Sequence, residues 1–212
     1  VNGAYPKNDG TVGQIELCPD GTPKHNHYNT DAIWGTYWNL TNLWALAYPD
    51  YYNDFINSQL LVFKDAGWLG DGIAASRFVS GVGTNMMPVV FAGAYNSGIR
   101  NYDVDLAYRA AWKNEMCGEN RPEGAGKTDV GLFVKLGYVP YNDSVPYGTH
   151  DKGSAFCASH TLEYSFSTYA LSQWAKAMGK TADYRRLIDL SNGWTHIFDD
   201  SLKLIHPRGT DG

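Results

Sequence analysis

Large apolar residues return every three or four positions along much of this chain, the spacing of helices that bury one face. Ile33, Tyr37, Leu40, Trp44 and Tyr48 form one such series. Tyr48-Pro49-Asp50 stops it and caps a second helix, over 51–66, with Tyr52, Phe55, Ile56, Leu60 and Phe63 inward and Gly67 at its end. The spacing predicts further helices over about 84–97 and 103–117, the latter started by Asp103 or a neighbour, and then over 159–180 and 182–198. Residues 1–30 are rich in Gly, Pro, Asn and His and read as an irregular N-terminal segment with a short hairpin around Val12 to Cys18. A glycine-rich loop after Gly67 and a long connection over 118–156, with a short helix at DVGLFVKLG, complete the chain. Three consecutive helical hairpins joined by long loops predict an all-α fold, half of a six-hairpin α/α toroid. A closed ring needs roughly twice this length, so the expectation is a partial α/α-barrel catalytic domain over 1–212.

One position breaks the pattern. In SHTLEYSFSTYALSQWAKAMGK, at about 100° per residue, Glu163 falls on the stripe of Phe166, Ala170, Trp174 and Ala177, opposite Thr161, Ser165, Thr168, Ser172 and Lys176. A carboxyl on an apolar face must find a hydrogen-bond donor, keep its proton, or look into a polar hollow. The last two outcomes suit catalysis. The plain alternative places Glu163 in the first helical turn, favoured by the helix dipole behind a Ser159 or Ser154 cap.

Composition narrows the chemistry. The net charge is −5 and no Lys/Arg run follows a phosphate backbone or an anionic surface, which argues against nucleic acid and membrane partners. No apolar run is long enough to span a bilayer. The 7 Trp and 15 Tyr, many beside Asn, Gly and Asp, suit sugar binding, where aromatic faces pack on C–H groups and amides and acids bind hydroxyls; large cores use the same residues. Cys18, Cys117 and Cys157 form no CxxC pair and no His cluster has ligand spacing, so one disulfide is possible and no metal ligand is assigned. The sequons at Asn39 and Asn142 carry little weight, Asn39 falling within a predicted helix.

TLEYSF, preceded by GYVP at 137–140, together with AIWGTYWNLTNLWALAYPDYYNDFINSQLLVFKDAGWL, MMPVVFAGAYNSGIRNYDVDLAYRAA and the closing HPRGTDG, resembles the catalytic domain of glycoside hydrolase family 92. Those enzymes are calcium-dependent exo-acting α-mannosidases with a β-sandwich domain ahead of a six-hairpin barrel. The resemblance implies an inverting exo-glycosidase releasing terminal sugars from a glycan, secreted or periplasmic, whose sandwich and second half-barrel lie outside these residues. It implies that Glu163 is the general acid. It also implies calcium, while the acidic pair supplying the base and the Gly-Asn-Glu-Pro stretch at the metal belong to downstream sequence. Two departures bear on the sugar. Trp34-Gly35-Thr36-Tyr37-Trp38 stands where the family usually has Trp-Asp-Thr-Tyr-Arg, and SGVGTNMMP replaces a Gly-Asp-His stretch. Trp34 and Trp38 are therefore expected to offer stacking faces, with core filling as the plain alternative for Trp38.

His160, beside the face of Glu163, is a candidate for contacting the sugar or the acid, against a capping or surface role. Asp103 and Asp105 read as helix caps, His25 and His27 as structural or solvent-facing, GVGTN as a turn without a phosphate-binding lysine, and Arg77 as a loop residue within reach of a cleft or on the surface. Two other functions compete: a carbohydrate-binding family member without turnover, and a different α/α-toroid enzyme such as a polysaccharide lyase using Tyr and His.

Overall fold

The computed structural model describes residues 3–30, 33–79, 84–146 and 148–212. Its helices are α1 (Leu40–Ala47), α2 (Pro49–Ala66), α3 (Met87–Asn96), α4 (Val104–Met116), α5 (Val130–Leu136), α6 (Cys157–Ala177) and α7 (Thr181–Leu190). The three expected hairpins are α1–α2, α3–α4 and α6–α7, and the fold is a helical portion of an α/α toroid. α1, α3 and α6 pack side by side as one layer, backed by α2, α4 and α7. A shared core of Tyr52, Phe55, Ile56, Phe91, Met87, Leu171 and Trp174 fills the space between them.

Three two-stranded antiparallel ribbons accompany the helices: β1 (Ala4–Pro6) with β2 (Val12–Gln14), β3 (Gly72–Ala74) with β4 (Arg77–Val79), and β5 (Phe198–Asp199) with β6 (Leu204–Ile205). The N-terminal hairpin therefore starts earlier than its predicted Val12, with a further bridge from Leu17 to Pro23. The loop after α2 is more ordered than its glycines suggest. Its ribbon turns through Ala75 and Ser76, both at positive φ. Two L-residues tolerate that geometry because the N-terminal segment holds them: Asn29 Oδ1 accepts from Ala75 N at 2.9 Å, and His27 Nε2 lies 2.8 Å from Ser76 Oγ. His27 is thus structural, its other ring nitrogen meeting Ser58 Oγ at 3.1 Å.

Several boundaries differ from the periodicity. The first apolar series is two pieces, a 3-10 turn at Ile33–Trp38 and then α1, with exposed Asn39 between them instead of inside a helix. α6 begins two residues early and ends at Ala177, and α7 gives way to a 3-10 segment, Ser191–Ile197. The predicted helix over 84–97 begins at Met87, and residues 80–83 of the glycine-rich turn lie outside the described residues. Asp103 caps α4, its Oδ1 accepting from Leu106 N at 2.9 Å. Gly67 and Gly137 end α2 and α5 in the left-handed conformation. All three cysteines are free thiols, so the disulfide that the sequence allowed is not formed.

The connections fall into two kinds. At one end of the layers the links are short: Tyr48 alone joins α1 to α2, and residues 178–180 join α6 to α7. The long segments all lead into the inner layer, the 3-10 turn into α1, residues 67–86 into α3 and residues 117–156 into α6. They gather at the N-terminal ends of α1, α3 and α6.

Candidate active site

The largest disagreement with the sequence lies within α6. Its stripe of Thr161, Ser165, Thr168 and Ser172, expected on the side away from the core, is buried, while Phe166 is 37% exposed. Hydroxyls can occupy a helix interface because each donates to a carbonyl of its own preceding turn: Thr161 to Cys157 O at 2.8 Å, Ser165 to Thr161 O at 2.7 Å, Thr168 to Tyr164 O at 2.6 Å. They leave little unpaired polarity, so polar residue type misstates which face is inside.

Near the start of α6 the Glu163 side is thus the less buried one, although Trp174 further along the same stripe is fully buried. Glu163 occupies the second turn of α6, beyond the first-turn positions that the dipole favours most, and the N-cap residue is Phe156 without a side-chain cap. Ser154 Oγ instead accepts from Phe156 N at 3.0 Å, just ahead of the helix. Glu163 is half-buried, and that burial raises its carboxyl pKa above the ordinary glutamate value, opposed by the nearby His160.

His160, one turn earlier, is 3% exposed, which excludes a surface role. Its ring stacks on Tyr164 at 5.6 Å, and its Nδ1 lies 3.9 Å from Asp129 Oδ2. Asp129 is itself fixed by the amides of Lys152 and Gly153, at 3.1 and 3.0 Å. The imidazole lies beside Asp129, and it opposes the rise in pKa of both Glu163 and Asp71.

Asp71 was not singled out from the sequence. It opens the ribbon before α3, is 3% exposed, and takes both donors of Thr84: the hydroxyl to Oδ1 and the amide to Oδ2 at 3.3 Å. Burial nevertheless lifts its pKa to about 6, with the Glu163 charge adding to the rise and His160 opposing it. The only sequence signal was an acid between glycines, in WLGDG, at the loop entering an inner helix.

The 3-10 turn before α1 supplies an aromatic ledge. Trp38 is 67% exposed and Trp34 44% within this chain. Tyr37 connects Trp38 to α6, its ring 6.0 Å from Trp38 and 5.0 Å from Phe166, one turn beyond Glu163. A Cβ on Gly35 would meet nothing within 4 Å, so the place of the family's Asp is open space. Arg77 is exposed on β4, and His25 Nδ1 lies 2.8 Å from the adjacent Asn26 carbonyl.

Beneath the rim lies a polar knot. Glu115 of α4 and Lys127, both fully buried, form an ion pair. Glu115 also accepts from Asn85 at 2.5 Å, Ser167 at 3.0 Å and Thr168. Lys127 reaches Thr168 Oγ1 at 3.1 Å and faces the rings of Phe133 and Tyr164 at 4.9 and 5.0 Å. Arg121, over Trp68 at 4.6 Å, donates to the carbonyls of Asn114 and Cys117, each at 2.6 Å. These contacts bind the long loop before α6 to α4 and α6 and, through Glu115, to Asn85 just ahead of α3, fixing the helix that carries Glu163.

Among the described residues no three His, Cys, Asp or Glu side chains come together as metal ligands. The calcium implied by the resemblance does not fit the acids present here, and no chemical step is routed through it.

Burial raises the pKa of both Glu163 and Asp71, and Trp34 and Trp38 are exposed on the 3-10 turn before α1. The fold matches an α-mannosidase of Bacteroides thetaiotaomicron solved with mannoimidazole, with TM-score 0.84 and 20% identity, covering 99% of this chain and 25% of that one. An inverting mannosidase from the same organism aligns with TM-score 0.80 and 18% identity, covering 99% of this chain and 26% of the other. A secreted glycosidase of uncharacterised specificity from Arthroderma benhamiae is 29% identical over 171 residues, 79% of this chain and 21% of its own. The chain belongs to glycosyl hydrolase family 92, whose catalytic-domain model matches residues 1–212. It spans about a quarter of the length of these relatives. No helix among the described residues is long and apolar enough to cross a membrane.

Proposed function

We propose that this chain supplies the acid half of an inverting exo-α-mannosidase-type active site, with Glu163 as general acid. The observation that carries the reading is the setting of Glu163: a half-buried carboxyl on a rigid helix, its pKa raised by burial, at the end of the layers where the loops gather. Such a carboxyl keeps a proton for the departing glycosidic oxygen. Trp34 and Trp38 offer faces to sugar rings, and His160 is placed to bear on the acid and a bound hydroxyl. The base would stand across the sugar, roughly 6.5–9.5 Å from the acid with water between, on the second half-barrel outside these residues. That half-barrel, a β-sandwich domain and any calcium ligands complete the enzyme in this reading, and its secreted relative suggests a secreted or periplasmic setting.

The test is Glu163→Gln in the full-length protein. Hydrolysis of a glycoside with a poor leaving group should fall by about 10²–10⁴-fold, while a glycosyl fluoride, which needs little protonation, should be far less affected. Equal rates on the poor substrate would exclude the assignment, and NMR of the first-formed anomer checks inversion. Gly35 favours a second reading, a sugar-binding member without turnover, because a family acid is replaced there by open space. Glycan binding with no sugar release would establish that alternative.

A further inference from the structure

Stacking and charge confine the imidazole of His160 in different ways. Phe156, at the N-cap of α6, and Tyr164, one turn after His160, lie against its ring with centroids at 6.2 and 5.6 Å and interplanar angles of 33° and 20°. Stacking restricts the plane of the ring but not its facing, because a half-turn exchanges Nδ1 for a carbon of similar size. The charged contact is with Asp129, whose Oδ2 lies 3.9 Å from Nδ1, both side chains being buried. Asp129 in turn is held from the loop side. Its Oδ1 accepts from the amides of Lys152 and Gly153 at 3.1 and 3.0 Å, and its Oδ2 from Thr128 Oγ1 at 3.2 Å. Gly153 stands at φ 81°, and a Cβ there would lie 2.6 Å from Pro140 O, so this turn of the loop suits glycine alone. Thr128 N also donates to the Tyr164 hydroxyl at 2.9 Å. The ring that stacks on His160 is thus anchored at the residue next to the carboxylate on its edge.

We propose that Asp129 is a positioning residue that acts through His160: its carboxylate sets the facing of the imidazole and keeps the ring proton on Nδ1, leaving Nε2 as the hydrogen-bond acceptor. The inference rests on His160 serving the proposed acid site and adds the group that orients it. A carboxylate repels a lone pair and gains little from a C–H edge, so the N–H is the edge it selects. A neutral imidazole carries one N–H, and holding it at Nδ1 settles the role of Nε2. The other tautomer would present Nε2–H as a donor instead. A donor favours an ionised carboxyl among its neighbours, and an acceptor favours a protonated one. His160 and Glu163 stand at i and i+3 on α6, a spacing that sets Cβ atoms about 5–6 Å apart, so the tautomer matters where the proton must be kept.

The experiment uses the full-length protein. Asp129→Asn keeps an oxygen for the amides of Lys152 and Gly153 while removing the charge beside His160. Nitrogen NMR of histidine-labelled protein, with the His160 signals assigned by His160→Gln, is followed upward in pH until the ring is neutral. The parent should carry its proton chiefly on Nδ1, and Asp129→Asn should shift it toward Nε2. On a glycoside with a poor leaving group, Asp129→Asn should lower kcat by about tenfold or more, with KM changed by less than about twofold. Made in the His160→Gln background, the same substitution should have little further effect, because its route to the acid has gone. Loss of a loop brace alone would leave the tautomer as it was and add to the His160→Gln loss. Either result overturns the proposal, as does a parent ring protonated on Nε2, which needs no variant to fold. A tautomer that shifts while an active enzyme keeps its kcat overturns it too. The expected tautomers in a protein that releases no sugar uphold the pair and overturn the hydrolytic reading instead.

Discussion

Glu115 and Glu163 are the same side chain in two states of confinement. Glu115, fully buried, has Lys127, Asn85, Ser167 and Thr168 as partners and is chemically silent. Glu163, less buried, has the nearby His160 as the charge that opposes its raised pKa. Burial alone therefore does not make an acid useful. A carboxyl met by several bonded donors braces the fold, whereas burial pushes up the pKa of one set as Glu163 is.

The comparison breaks most readily at Lys127. Lys127→Met leaves Glu115 buried without its cation and should destabilise the protein by about 3–5 kcal/mol in urea titration, while conservative change at the rim should not. A loss below about 1 kcal/mol would show that water or rearrangement meets the Glu115 charge.

A smaller effect lies in pH. Asp71 has a folded pKa of about 6, above the unfolded aspartate value, so the folded state binds the extra proton and the stabilisation is complete at low pH. Stability from this group then falls as pH rises from about 4 to 6, by about 3 kcal/mol in total. Asp71→Asn should flatten that part of the urea-midpoint profile; an unchanged slope would place the titration elsewhere. Least is expected at Trp38, whose exposed indole contributes little to the core: Trp38→Ala should change stability by about 0.5 kcal/mol or less. The same change should weaken oligosaccharide binding on the order of threefold to tenfold in calorimetry, and equal affinity would remove Trp38 from the site.

The hairpins were legible because Tyr52, Phe55, Ile56 and Leu60 obey a helical period and Pro49, Gly67 and Asp103 punctuate it. Glu163 stood out because TLEY carries a recognisable pattern. The inward face of α6 was not legible, since Thr161, Ser165 and Thr168 look like surface residues until their hydroxyls are seen satisfying carbonyls of the same helix. Asp71, Thr84 and Asp129 were missed for a different reason. Asp71 meets Thr84, and Asp129 meets His160, only through tertiary folding of loops that have no period, and the Ala75–Ser76 turn lacks the Asn-Gly signal that would have announced its ribbon.

The uneven connections between helices have an evolutionary corollary. With Tyr48 and residues 178–180 as the tight hinges at one end, length variation is confined to the opposite mouth, where doubling a loop costs only about 0.6 kcal/mol in closure entropy. Under the proposed function, new glycan preferences can thus arise by insertion or trimming of three segments while the helix scaffold that carries Glu163 is inherited intact.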